Sequence, residues 1–97
     1  MIYTDRKLKA LPTLVKLIKK ENERQLAKWG VDDATPFEWL TYLTEEVGEL
    51  AEAISDCEYC REGIFIARAH IVTEAIQVAT LALKIAEMHL PSKPTIL

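Results

Sequence analysis

The sequence predicts an all-α fold, an antiparallel helical bundle completed by oligomerisation. Apolar residues recur at helical spacing in three long segments, and no strand-like alternation survives outside that periodicity. Three glycines and four prolines among 97 residues are too few for a turn-rich β-sandwich. The hydrophobic fraction of 49 % excludes a disordered chain, and the length suits one domain. Its core is expected at about residues 11–90, with an extended tail at 91–97.

The first helix is predicted over about Leu11–Trp29. Pro12 is tolerated in its first turn, and Gly30 is a stop signal. Residues 3–9 are expected to form a short turn or helix before it. The apolar positions that define the helix are Leu14, Leu17, Ile18 and Leu26.

The second helix is predicted from Pro36 to about Asp56. Thr35 and Glu38 have the spacing of a capping box, in which each side chain satisfies the backbone N–H of the other residue. Proline at the first helical position is compatible with this start. The apolar stripe of the helix consists of Leu40, Leu43, Val47, Leu50 and Ile54.

The third helix is predicted over about Ile64–Met88, after a break near residues 61–63. It is apolar almost all round, and its polar residues fall on one narrow stripe. Such a helix is usually buried on most sides, which three helices of this size cannot easily achieve. We therefore expect a partner subunit to cover it, in a homodimer or homotetramer. The polar stripe contains His70, Thr73, Glu74, Gln77, Lys84 and Glu87.

Charge is distributed unevenly along the chain. Residues 1–28 carry net +5, residues 29–60 net −9 with no Lys or Arg, and residues 61–97 net +1. The acidic segment would repel a phosphate backbone, so nucleic acid is not an expected partner. Every stretch of about 18 residues contains a charge, so no membrane span is expected. The apolar run after residue 10 is a poor signal sequence, and the two cysteines are expected to be reduced thiols in a cytoplasmic protein.

The carboxylates of the second helix are the candidate functional groups of the sequence. Glu45 lies on a solvated sector, whereas Glu46 lies beside the apolar face, one turn from Glu49. The third helix offers Glu74 and Gln77 at the same spacing. Antiparallel packing of the two helices could bring Glu46, Glu49, Glu74 and Gln77 around one cleft. Their oxygen atoms suit a hard cation, Mg²⁺ or alternatively Mn²⁺.

The remaining acids of the second helix have a simpler interpretation. A solvated helix face is the more frequent role of such a charge run. An unpaired carboxylate beside an apolar surface is costly, so this interpretation is weaker for Glu46 and Glu74. The acids assigned to the solvated face are Glu38, Glu52 and Asp56.

The ordered motifs resemble those of the MazG-type all-α nucleoside triphosphate pyrophosphatases. The resemblance covers roughly residues 11–90, and the small stand-alone members provide a similar third segment. The motifs are Arg24-Gln25, Lys28-Trp29-Gly30, Pro36-Phe37-x-Trp39-Leu40, Thr44-Glu45-Glu46-Val47-Gly48-Glu49 and Glu74-Ala75-Ile76-Gln77-Val78-Ala79.

The resemblance implies hydrolysis of a nucleoside triphosphate to the monophosphate and pyrophosphate. It implies that Glu46, Glu49 and Glu74 are Mg²⁺ ligands and that Glu45 orients a ligand or an attacking water. Water would attack the α-phosphorus, with the metal neutralising charge on the leaving pyrophosphate. Such an enzyme needs no protein nucleophile, in agreement with the lack of a Ser/His/Asp or Cys/His motif.

Gln77 departs from the family pattern, which has Asp at this position. An amide oxygen can coordinate Mg²⁺ but brings no negative charge, so metal affinity should fall. The alternative function is therefore a non-catalytic helical module that binds a nucleotide or a protein, with a weakened metal site.

The end of the first helix supplies candidate substrate contacts. Lys28, with Arg24, could meet the triphosphate, although a solvated helix face is the more frequent role of such basic residues. Trp29 could stack on the base or lie in the core. Gln25 is a candidate contact to the base or to a water on the metal. Trp39, among apolar neighbours, is expected in the core.

Overall fold

The computed structural model describes residues 7–30, 34–59 and 63–91, and all regular structure in these ranges is helical. The helices are α1 (Leu11–Trp29), α2 (Pro36–Glu58) and α3 (Ile64–Met88). The prediction of an all-α fold is confirmed. The ranges of α1 and α3 are the predicted ones, whereas α2 continues two residues beyond Asp56.

Several sequence predictions fall outside the described residues. The tail after Pro91, the break at Arg61 and Glu62, and the first six residues are among them. Of the element expected at residues 3–9, only residues 7–9 are described: residues 7 and 8 have no regular structure, and a turn begins at residue 9. Cys57 is a half-buried free thiol, and Cys60 lies outside the described residues.

The ends of α1 and α2 follow from local chemistry. At the start of α2, the Glu38 N–H donates to Thr35 Oγ1 (3.2 Å) and the Thr35 N–H donates to Glu38 Oε1 (3.1 Å), which confirms the capping box. At the end of α1, the Gly30 N–H donates to the Leu26 carbonyl at 2.8 Å. Gly30 has φ 70°, a left-handed conformation that glycine adopts without a Cβ clash.

Helix α3 is the element on which the other two pack. It contacts α2 extensively and α1 less extensively, while the described backbones of α1 and α2 do not approach each other. A cleft therefore opens between α1 and α2, with Leu81 and Lys84 of α3 among its lining residues.

The interior is small and unusually polar. Only three apolar side chains are buried among the described residues, namely Ala53, Ala67 and Leu81. Four polar residues are buried with them, and no buried side-chain N or O atom in the described ranges lacks a hydrogen-bond partner. Hydrogen bonding removes most of the desolvation cost of such groups. The buried polar residues are Glu21, Gln25, Glu74 and Thr80.

Much of the apolar surface of α3 is not covered within one chain. Phe65 is 83 % exposed, Ile66 65 % and Leu83 52 %. As expected for three helices of this size, the single chain does not enclose α3, and its coverage by a partner subunit stays a prediction. By length and composition alone, α3 could also cross a membrane, although only 22 % of its most apolar window is buried in the chain. One such helix is weak evidence, because core helices of soluble proteins can have the same composition.

Candidate metal centre

Three carboxylates from two helices meet at one point. Glu46 and Glu49 come from α2, and Glu74 comes from α3. One oxygen of each lies within 4.8 Å of the others. Glu74 is buried, Glu46 is half-buried and Glu49 is exposed, so the cluster faces solvent on one side. Packing of α2 on α3 thus brings the two acidic motifs together.

The electrostatics of this carboxylate cluster are unfavourable without a cation. Burial, with the nearby charges of Glu49 and Glu74, raises the pKa of Glu46 to about 7. Burial and a hydrogen bond with Glu49 also raise the pKa of Glu74, and the contact with His70 opposes this rise. The His70 Nε2 atom lies 3.2 Å from Glu74 Oε1. Like charges at this separation favour either protonation or a bound cation.

Gln77 adjoins the cluster with its amide nitrogen facing the carboxylates. In this orientation Nε2 donates to Glu46 Oε2 at 2.7 Å and to Glu74 Oε2 at 2.9 Å. In the opposite orientation the amide oxygen of Gln77 would face Glu46 Oε2 and Glu74 Oε2. These atoms repel one another unless a cation lies between them. The four residues that the sequence placed around one cleft are therefore neighbours, and Gln77 is the member that adds no charge.

The cleft beside the cluster has a volume of about 460 Å³ and a mixed lining. Glu45 and Glu46 line its carboxylate end. Trp39 and Tyr42 of α2 pack edge to face, with ring centroids 5.8 Å apart. The complete lining is Gln25, Trp29, Gly30, Trp39, Tyr42, Glu45, Glu46, Leu81 and Lys84.

A buried polar network joins α1 to α3 beneath this cleft. Glu21 accepts two hydrogen bonds from Arg24 and one from Gln25 Nε2, all at 2.8 Å. Gln25 Oε1 in turn accepts from Lys84 Nζ. Burial alone would raise the pKa of Glu21, but the hydrogen bonds from Arg24 and Gln25 outweigh it and lower this pKa. Both ends of the Gln25 amide are thus occupied inside the protein.

Two cationic side chains lie close to the ring of Trp29 at the C-terminal end of α1. The Lys28 Nζ atom lies 4.8 Å from its ring centroid, and the Arg24 guanidinium carbon lies 5.7 Å from it. The hydrogen bond to Glu21 raises the pKa of Arg24 despite partial burial, and the charges of Glu46 and Glu74 add to this effect. Arg24 is therefore within electrostatic reach of the carboxylate cluster.

The other predicted site residues are distributed around this cleft. Glu45 is exposed and stands beside the cluster without joining it. Trp29 is 56 % exposed, so it does not lie in the core of this chain. Trp39 is half-buried and lines the cleft, which corrects its assignment to the core. Lys28 is exposed and contacts Trp29.

Sequence reasoning missed Glu21 and Tyr42 and gave Lys84 no role in the site. A signal for Glu21 did exist. Leu14, Ile18, Glu21 and Gln25 are spaced by four, three and four residues, so both polar residues continue the apolar stripe of α1. No comparable signal identifies Lys84, which lies 59 residues away in sequence from its partner Gln25.

No family model, curated protein or solved structure matches the chain. The function of the chain is therefore inferred from its own side chains and from the distances between them.

Proposed function

We propose that the chain is a Mg²⁺-dependent nucleoside triphosphate pyrophosphohydrolase of the MazG type, which releases a nucleoside monophosphate and pyrophosphate. The observation that carries the proposal is the convergence of Glu46, Glu49 and Glu74 to within 4.8 Å beside an aromatic cleft. A site that holds a cation next to a stacking surface has the two parts that nucleotide binding requires.

The donor set fits Mg²⁺. Carboxylate oxygens are its preferred protein ligands, and the exposed side of the cluster leaves room for waters and phosphate oxygens. The repulsion that raises the pKa of Glu46 is a second reason, since a divalent cation would relieve it. When bound, the metal would supply charge neutralisation for the phosphates. Rotation of the Gln77 amide would then present its oxygen to the cation.

The remaining steps would depend on Glu45, at the carboxylate end of the cleft, and on two basic residues of α1. Glu45, at the carboxylate end, would orient the attacking water and accept its proton. Arg24 uses two of its five donors on Glu21, and the described residues supply no hydrogen bond to the other three, which would pair with phosphate oxygens. Lys28 adds a second positive charge beside Trp29. Water would attack the α-phosphorus, and pyrophosphate would leave.

The same proposal includes an antiparallel bundle completed by self-association, as a homodimer or homotetramer. The support is the exposed apolar surface of α3, on which Phe65, Ile66 and Leu83 are each more than half exposed. Apolar surface of this kind marks interfaces in soluble proteins. A second copy would cover it and leave a soluble, cytoplasmic assembly.

The test is pyrophosphate release from ribo- and deoxynucleoside triphosphates with and without Mg²⁺. Wild type should release pyrophosphate only with the metal, and Glu49→Ala should lower kcat/KM by at least about 100-fold. Glu52→Ala is the matched control, because Glu52 is exposed on the same helix outside the cluster and should retain activity.

One observation favours a second candidate, the non-catalytic binding module. The Gln77 amide bridges Glu46 and Glu74 by hydrogen bonds and so partly replaces a cation. Folded protein that binds nucleotide but releases no pyrophosphate from any triphosphate would establish this candidate instead.

A further inference from the structure

Lys84 is the one lysine of the described residues that is half-buried, and it lines the cleft. Its Nζ donates to Gln25 Oε1 and lies 6.0 Å from the centroid of the Trp39 ring. An ammonium group has three donors and no acceptor. One donor is used by Gln25, and the described residues supply no other hydrogen bond to it.

Lys84 lies away from the carboxylate cluster along α3. It follows Glu74 by ten residues, a rise of about 15 Å along the helix axis, whereas the charges of Glu46 and Glu74 act on Arg24. Phosphates beside a cation at the carboxylate cluster would therefore meet Arg24. Lys84 stands with the aromatic side chains, where a flat apolar group would stack.

Gln25 fixes the direction of this donor. Its amide is held at both ends, by Glu21 and by Lys84, and the side chain is 4 % exposed. The Lys84 ammonium is thus anchored on one side, in a side chain that lines the cleft. A partly desolvated donor is costly when it finds no acceptor. A ligand that places a hydrogen-bond acceptor at this position is therefore favoured.

We propose that Lys84 selects the base of the substrate, and that the preferred nucleotides carry an oxo group where adenine and cytosine carry an exocyclic amino group. This inference rests on the proposed function for the placement of the phosphates. The Lys84 ammonium donates to the carbonyl oxygen of guanine, hypoxanthine, uracil or thymine. An amino group at that position sets one donor against another and leaves the remaining donors of the ammonium without an acceptor on the base.

Two matched pairs of substrates test this with a single change each. Inosine and adenosine triphosphates differ by oxo against amino on the purine, and uridine and cytidine triphosphates differ in the same way on the pyrimidine. The expected kcat/KM ratio is at least about tenfold in favour of the oxo base in both pairs. Lys84→Met should bring both ratios to within about threefold of one.

Two further variants separate selection from folding. Lys84→Gln retains a donor for the Gln25 oxygen and offers both a donor and an acceptor to the base, so it should also equalise the pairs. Lys20→Met removes an exposed lysine of α1 outside the cleft and should keep the wild-type ratios. Circular dichroism shows which variants are folded.

Binding of inosine and adenosine monophosphates, measured by isothermal titration, makes the test independent of hydrolysis. Selective inosine monophosphate binding that Lys84→Gln abolishes would uphold the base assignment even if no triphosphate were hydrolysed. Equal use of both members of each pair by the wild type would overturn it. So would a preference that both Lys84 variants retain, or the absence of both hydrolysis and selective binding.

Discussion

The metal-free carboxylate cluster should destabilise the fold at neutral pH, and Glu46→Gln measures by how much. The pKa of Glu46 rises from 4.5 to about 7 in the folded protein. At about 1.36 kcal/mol per pH unit, this rise corresponds to at most about 3.4 kcal/mol. The amide introduced by Glu46→Gln would keep an oxygen able to accept the hydrogen bond from Gln77 without bringing a charge.

The sign of the pH dependence follows from the direction of the pKa change. Below pH 4.5, Glu46 is protonated in both the folded and the unfolded chain, so it adds no pH dependence. Between pH 4.5 and about 7, the folded chain retains a proton that the unfolded chain has lost. Stability therefore decreases as the pH rises through this window, and the full cost is present above it.

The assay is thermal unfolding with a chelator present, from pH 4 to pH 8. At pH 8, Glu46→Gln should raise Tm by up to about 14 °C, given about 4 °C per kcal/mol for a domain of this size. At pH 4 the two proteins should unfold together. Glu45→Gln, which neutralises the exposed neighbour outside the cluster, is the control and should change Tm little at either pH.

Mg²⁺ should reverse the order of the two proteins. A cation bound by the three carboxylates would stabilise the folded wild type, and one of these carboxylates is missing in Glu46→Gln. A variant that is no more stable than wild type at pH 8 without metal would refute the reasoning. Its carboxylates would then be relieved by solvent or by Gln77 alone.

Three further outcomes follow from other parts of the structure. Gln77→Asp should tighten Mg²⁺ binding in a calorimetric titration, and unchanged or weaker affinity would contradict a ligand role. Gln25→Ala should cost about 1–3 kcal/mol in urea unfolding, because Glu21 and Lys84 each lose a buried partner; Lys20→Ala should stay within about 0.5 kcal/mol. Leu83→Glu should lower the mass in sedimentation experiments if α3 mediates self-association, and an unchanged mass would locate the interface elsewhere.

The helices could be predicted closely because their signals are local. Thr35, Pro36 and Glu38 define the start of α2 through bonds that span three residues, and Gly30 ends α1 through a backbone conformation of its own. The carboxylate set could also be predicted, since pairs one turn apart on a helix must share a face. Only the packing of α2 on α3 was needed to unite the two pairs.

The cleft could not be predicted to the same extent. Trp39 has apolar neighbours in sequence, which favoured the core, yet it lines a cleft because α1 and α2 pack on α3 and not on each other. Gln25 was expected to be free for a ligand, but its amide is occupied by Glu21 and Lys84. The contact with Lys84 joins residues 59 apart in the chain, where periodicity carries no information.

The helices, their ends and the acidic pairs of the cluster are encoded locally, because each depends on residues within a turn or two of one another. The network of Glu21, Gln25 and Lys84, and the aromatic cleft beside the carboxylates, emerge only when the helices pack. The physical reason is that helix crossing is set by side-chain packing between distant segments. The spacing of residues along one helix determines which of them share a face. It does not determine which residues of the other helices that face contacts.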